Sequence, residues 1–376
     1  MDLTELKQIR QYLHKHPELS HKEKKTSEYL RNKISDIEPD FVVKQKSGEG
    51  FWARFGKNEK GSIAFRTDID ALPIQEINEF EYKSVNEGVA HKCGHDGHAT
   101  SMLGFAYNVK KHLQNPVDLI FQAAEETGEG AESWLKDVMM RYFSPEKVFA
   151  YHNLPGFPLH SIIVRNDVFT AASVGITIKL FGKTSHAGHP ERGVSPALAV
   201  ADLVTHIEGL PQNERFNEFT LTTVVHALLG EIAFGTAPGY AEVRATLRSY
   251  SNDDLKKLQK LCEDFTEEIE KKYGLKTEVS YSEYFPATEN NNQCVNIVRK
   301  AAQNLNLQIV EREEPFRWSE DFAHFTLKFN GALFGIGSGE KHPQLHNPDY
   351  DFPDEILSTA INMFTEIYKL SDTKTC

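Results

Sequence analysis

Leu3, Leu6, Ile9 and Leu13 recur at the spacing of one helix face, which predicts a helix at the start of the chain. A second helical run spans 26–34, after the polar stretch His-Lys-Glu-Lys-Lys. Short β-like segments follow at 51–55 and 62–66, then a helix over 98–113. Apolar runs of strand length at 117–123 and 147–151 flank a helix over 132–140. Strands that alternate with helices and are apolar throughout predict an α/β fold whose parallel sheet is covered on both faces.

The pattern changes near Ala172. Val174, Ile176, Ile178 and Leu180 alternate strictly, as in a strand with one buried face. A helix over 196–207 follows, then strands at 219–228 and 240–250. A long helix, capped by Asn252 or Asp253, runs to Tyr273 and ends at Gly274, before a strand over 276–284. This βαββαβ order makes an α+β unit of domain size. Helix 294–305, strand 332–336 and helix 356–370 then resume the first pattern. The last segment is short for a core of its own. The expected organisation is therefore a discontinuous domain, 1–171 with 286–376, interrupted by an inserted domain over 172–285.

Composition narrows the function. The chain has 376 residues, 40% of them hydrophobic and 26% charged, which fits packed domains and excludes wholesale disorder. Its net charge of −12, with no basic run, argues against nucleic acid or an anionic membrane as a partner. No apolar stretch reaches the length of a membrane span, and the N-terminal helix lacks the apolar core of a secretory signal. Four widely spaced cysteines, Cys93, Cys262, Cys294 and Cys376, fit a reducing cytoplasm better than a disulfide framework. Histidine, with 16 residues, is the unusual component.

The histidines cluster with carboxylates. His91-Lys-Cys93-Gly-His95-Asp96-Gly-His98 concentrates ligand types in eight residues. A thiolate and an imidazole two apart can hold a divalent metal while a carboxylate orients the ring. Glu125-Glu126 follows a buried strand, where one carboxylate can ligate a metal while the other takes a proton from water. His152 and His346 also follow apolar runs. Cys93, His95, Glu126, His152 and His346 exceed the three protein ligands of a single catalytic zinc and suit a pair of metals. His186, in Gly182-Lys-Thr-Ser-His186-Ala-Gly-His189-Pro190, lies in the inserted unit.

These motifs resemble the two-metal amidohydrolase family of aminoacylase and hippurate hydrolase type, which includes N-acetyl-diaminopimelate deacetylases and auxin-conjugate hydrolases. The likeness runs from Arg10-Gln-Tyr-Leu-His14 through Arg66-Thr-Asp68-Ile-Asp70 and the Cys93-Gly-His95-Asp96 run. It continues through Phe121-Gln-Ala-Ala-Glu125-Glu126 and Tyr151-His152 to Ser319-Glu-Asp321-Phe322 and Leu345-His346-Asn347. The resemblance implies a zinc-peptidase-like catalytic domain with a mainly parallel sheet and an inserted, ferredoxin-like lid that serves for dimerisation. It implies two divalent ions (zinc, manganese, nickel or cobalt) on Cys93, His95, Glu126, His152 and His346. Glu125 matches the general base, His186 a catalytic and substrate-binding residue, and Arg248 a residue for the substrate carboxylate.

The implied substrate is a small N-acylated amino acid. A dipeptidase or aminopeptidase of the same superfamily is the alternative, and a metal-binding protein with lapsed catalysis is another. The chain departs from the family pattern on the lid. Phe234-Gly235-Thr236-Ala237-Pro238 stands where Asn-Val-Ile-Pro is usual, so Gly235 replaces an asparagine. Thr184-Ser185 replaces Gly-Gly, and Glu191 replaces a second histidine. His226 lies in the same region.

Overall fold

The computed structural model describes residues 1–57 and 61–371, so Cys376 lies outside the described residues. The chain divides into two compact units: Met1–Phe169 with Thr288–Pro315 and the residues from Glu320 onward, and Thr170–Ala287 with Phe316–Ser319.

The first unit is built on an eight-stranded sheet. From edge to edge its strands are Phe41–Lys44, Phe51–Phe55, Val117–Gln122, Ile63–Asp68, Lys147–Leu154, Asn330–Gly337, Ile162–Val164 and Ile309–Glu311. The four middle strands, Val117–Gln122 to Asn330–Gly337, are all parallel. They are buried almost throughout because helices cover the sheet. On one face, helices Leu3–Lys15, His95–Lys111, Asn292–Asn304 and Ile356–Leu370 pack around Phe65, Phe105, Tyr151 and Phe364. Elsewhere Trp134, Phe143 and Phe325 form an aromatic cluster.

The second unit is a four-stranded antiparallel sheet in the order Thr220–Leu229, Tyr240–Ser249, Ala172–Phe181, Lys276–Phe285. With helices Ala197–Asn213 and Asn252–Tyr273 this is the ferredoxin-like arrangement expected from the βαββαβ order. The alternation of Val174, Ile176, Ile178 and Leu180 gives their side chains to the core between sheet and helices.

Several boundaries differ from the periodicity. The helix expected from residue 98 starts at His95, because Gly94 takes φ 96° and turns the chain three residues earlier. The expected helix 132–140 breaks at Asp137, whose side chain accepts from the backbone of Lys46, Ser47 and Met139. The long helix is capped by Ser251, which accepts from Asp254 N, rather than by Asn252 or Asp253. The short strands Phe41–Lys44, Ile162–Val164 and Ile309–Glu311 carry too few residues for a periodic signal. No helix among the described residues is long and apolar enough to cross a membrane.

Candidate metal centre

The carboxyl ends of the parallel strands bring the chemistry together, as open α/β sheets do. Asp68 ends one strand, and Glu125 and Glu126 follow another by three and four residues. His152 sits within the third, and His346 follows the fourth. His95 opens the helix behind the Cys93 loop. Cys93, His95 and His152 place their ligand atoms within 4.8 Å of one another, and so do Cys93, Glu126 and His346. The two trios share Cys93, whose Sγ is 3.4 Å from His152 Nε2. His346 Nε2 lies 3.7 Å from a Glu126 oxygen, and His95 Nε2 lies 3.7 Å from the other.

The ring orientations are fixed from behind. His95 Nδ1 donates toward Asp70, at 3.0 Å from its carbonyl and 3.1 Å from its carboxylate, which points Nε2 into the centre. His152 Nδ1 donates to the Asn153 carbonyl at 2.9 Å, which leaves its Nε2 toward Cys93. His95 Nε2 and Glu126 Oε1 are buried without a hydrogen-bond partner. Two such orphans facing each other would be costly in a finished protein. Divalent ions bound beside them would satisfy both, so the residues present fit metal.

Glu125 lies beside this centre, its Oε2 3.8 Å from His95 Nε2 and its carboxylate against Glu320 and Asp321. Burial, together with Glu320 and Glu126, pushes its carboxyl well above the usual range. Burial likewise raises Glu126 to about 8, with His95 opposing and Asp70 adding to the rise. The Cys93 thiol is pushed up by burial and by Glu126 and Glu125. Burial opposes charge on His95, yet Asp68 and Asp70 hold its pKa at about 10. Burial lowers His152 well below its ordinary value, and His346 in the same direction. Burial and the crowding of carboxylates hold up the Glu125, Glu126 and Cys93 values, whereas burial and neighbouring imidazoles lower His152 and His346. Divalent ions would favour the charged carboxylates and thiolate.

Residues without a role in the sequence reading complete the setting. Asp68 accepts from His98 Nδ1 at 2.7 Å and lies 3.8 Å from His95 Nε2. Fully buried Arg66 donates to Gln122, Asp68 and Asp321 and lies 3.0 Å from Glu320, so one guanidinium holds the two carboxylates that lie against Glu125. The signal was present in Arg66-Thr-Asp68-Ile-Asp70, since charged residues at the end of a buried strand need a reason. Below the ligand loop, His14 bonds Asp96 at 2.8 Å and Glu76 at 3.0 Å, and Lys92 donates to Glu76 at 2.6 Å.

His186 and Arg248 belong to the second unit. Gly188 N–H donates to His186 Nδ1 at 3.0 Å, which assigns the ring proton to Nε2 on an exposed ring. Arg248 Nη1 donates to the Arg317 carbonyl and to Ser319 Oγ, each at 3.0 Å. His226 is exposed on strand Thr220–Leu229 and lies opposite Arg244. Cys93, Cys262 and Cys294 are free, buried thiols.

A layered α/β unit with clustered thiolate, imidazole and carboxylate ligands at its strand ends defines a metal-dependent hydrolase. The family model for Peptidase family M20/M25/M40 matches residues 64–369, and the chain belongs to that family. It is 31% identical over 378 residues to an uncharacterized hydrolase of Staphylococcus epidermidis, covering 96% of each chain. Among solved structures it is similar to the YXEP protein of Bacillus subtilis, described as a dinuclear metal-binding peptidase from the M20 family. That match has a TM-score of 0.82, 26% identity and 97% coverage of both chains. An aminobenzoyl-glutamate utilization protein from Klebsiella pneumoniae shares the fold at a TM-score of 0.74 and 16% identity, over 97% of this chain and 95% of that one.

Proposed function

We propose that the protein is a cytoplasmic amidohydrolase that cleaves the amide bond of small N-acylated amino acids of the acetyl or benzoyl type. The observation that carries the reading is Glu125, a buried carboxylate 3.8 Å from His95 Nε2, beside two ligand trios that share Cys93. Cys93, His95 and His152 would hold one divalent ion, and Cys93, Glu126 and His346 the other. Zinc, manganese, nickel or cobalt would suit this mixed donor set. When bound, the ions polarise the scissile carbonyl and let water lose a proton near neutral pH.

Glu125 takes that proton on its carboxylate and hands it to the leaving nitrogen as the C–N bond breaks. His186 donates its Nε2–H to the oxygen that becomes negative. Arg248 keeps guanidinium N–H groups beyond those given to Arg317 and Ser319, and they pair with the substrate carboxylate. The Gln122-Ala-Ala-Glu125-Glu126 and Cys93-Gly-His95-Asp96 motifs support the N-acyl amino acid class.

We further propose a homodimer formed through the second unit. Thr220–Leu229 is the edge strand of its sheet, and Val225, Leu228 and Leu229 are exposed on it.

The test is a panel of N-acetyl and N-benzoyl amino acids and dipeptides, run with metal-loaded wild type and Glu125→Gln. The expected result is hydrolysis of the N-acyl compounds, and loss of at least about a hundred-fold in kcat in the variant with its metal content retained. A variant that keeps its turnover overturns the assignment of Glu125. A wild type that cleaves only dipeptides overturns the substrate class.

A further inference from the structure

The turn that carries Glu125 and Glu126 away from strand Val117–Gln122 has an uncommon backbone. Ala124 takes φ 56°, a left-handed conformation that alanine disfavours because its Cβ crowds the following carbonyl. The chain after it is drawn in tightly. Gly130 N–H donates to the Ala124 carbonyl at 3.0 Å, and Gly128 N–H to that of Glu125 at 2.8 Å. A Cβ at Gly130 would lie 1.9 Å from the Ala123 carbonyl oxygen, so the backbone passes itself closely here. The direction of both glutamates depends on this turn.

Residues near the N-terminus hold it from behind. Glu23 Oε1 accepts from Ala124 N–H at 2.7 Å and from His21 N–H at 3.0 Å. Asp70 Oδ2 accepts from Glu126 N–H at 3.0 Å and from Ser20 Oγ at 2.7 Å. Two carboxylates thus take the backbone N–H groups on either side of Glu125. Glu23 is fully buried, and its Oε2 has no hydrogen-bond partner among the described residues. It precedes helix Lys24–Ser35, but its side chain does not cap that helix. Burial and Asp70 push its carboxyl up to about 7. A carboxyl buried at such cost needs a reason, and its side-chain bond beyond its own segment is the one to Ala124.

We infer that Glu23 is a positioning residue: by holding Ala124 N–H it locks the left-handed turn that aims Glu125 at the reacting water and Glu126 into the metal centre. The inference rests on the roles proposed for Glu125 and Glu126.

The test compares wild type, Glu23→Met, Glu23→Gln and the double variant Glu23→Met with Ala124→Gly. Methionine fills the space without a strong acceptor, and glutamine keeps an acceptor oxygen. Cobalt(II) binding to the dialysed proteins is titrated by equilibrium dialysis. The loaded proteins give kcat and KM on acetyl-alanine and benzoyl-alanine, and thermal midpoints report folding. In Glu23→Met, kcat should fall at least about ten-fold while KM stays within about two-fold. Affinity for the cobalt that needs Glu126 should weaken about ten-fold. Glutamine should recover most of both losses. Ala124→Gly should do the same, because glycine adopts a left-handed turn unaided. If Glu23→Met does not fold, Glu23→Ala, alone and with Ala124→Gly, carries the same comparison. Wild-type kcat and cobalt affinity in the folded variant without the carboxyl overturn the inference. A loss that neither glutamine nor Ala124→Gly relieves makes Glu23 a structural residue only, and also overturns it. A wild type that binds cobalt but cleaves no N-acyl substrate overturns the proposed function, and the cobalt titrations then decide this inference by themselves.

Discussion

Glu125 is surrounded by burial, Glu320 and Glu126, all of which make its proton hard to remove in the metal-free protein. Its proposed use as a base therefore depends on the ions that Cys93 and its partners would hold. Cys93 belongs to both trios and His152 to only one. Cys93→Ala is expected to reduce bound metal at both positions, and His152→Ala to leave one ion per chain. Metal analysis after dialysis reads the difference, and equal losses in the two variants would contradict a shared thiolate. At this scale the sequence was informative where ligand types crowd into a short run, as between His91 and His98. Asp68 and Glu320 were not assigned, because their importance lies in contacts with Arg66 and Glu125 from distant parts of the chain.

Helix His95–Lys111 carries a candidate ligand on its first residue, so its position matters more than its existence. Gly104 lets it approach helix Ile356–Leu370, where an added Cβ would run into Ile361 Cδ1 and crowd Leu6. Gly104→Ala is expected to destabilise by about 1–3 kcal/mol through overpacking, despite the better helix propensity of alanine. A lowered thermal midpoint checks this, and an unchanged or raised one would mean that the interface repacks freely. Periodicity located this helix but started it at residue 98, because the left-handed turn at Gly94 has no signature in the apolar pattern.

Across the whole first unit, His14 ties the N-terminal helix to the ligand loop. Burial alone would lower its pKa, but hydrogen bonds to Asp96 and Glu76 raise it to about 9. A raised folded pKa stabilises fully below the ordinary value of 6.5, and the contribution is lost as pH rises through about 9. The shift corresponds to about 3 kcal/mol. Glu76 has the opposite sign. Burial opposes its charge, but His14 and Lys92 lower it to about 2, so its contribution is present above 4.5 and is lost as pH falls through about 2.

Chelated protein should therefore lose stability between about pH 6.5 and 9, and His14→Gln should flatten that slope. Thermal unfolding in a chelator reads both, and parallel curves for variant and wild type would contradict the account. Metal added back should raise stability with concentration, by about 2.7 kcal/mol per site at a hundred times Kd, read as a higher thermal midpoint. If the proposed dimer forms through the second unit's edge strand, Val225→Lys is expected to shift it toward monomer in light scattering.

The alternating and helical apolar patterns determined both layered architectures, because burial of one face needs only local spacing. The sequence also singled out three of the five candidate ligands, Cys93, His95 and Glu126, with Glu125 beside them, since they occur in two compact motifs. Tertiary structure decided which candidate ligands meet around Cys93, which rings are oriented by Asp70 and Asn153, and that Arg66 braces the carboxylates. Those features are distances between segments scores of residues apart, and strand order and packing fix them.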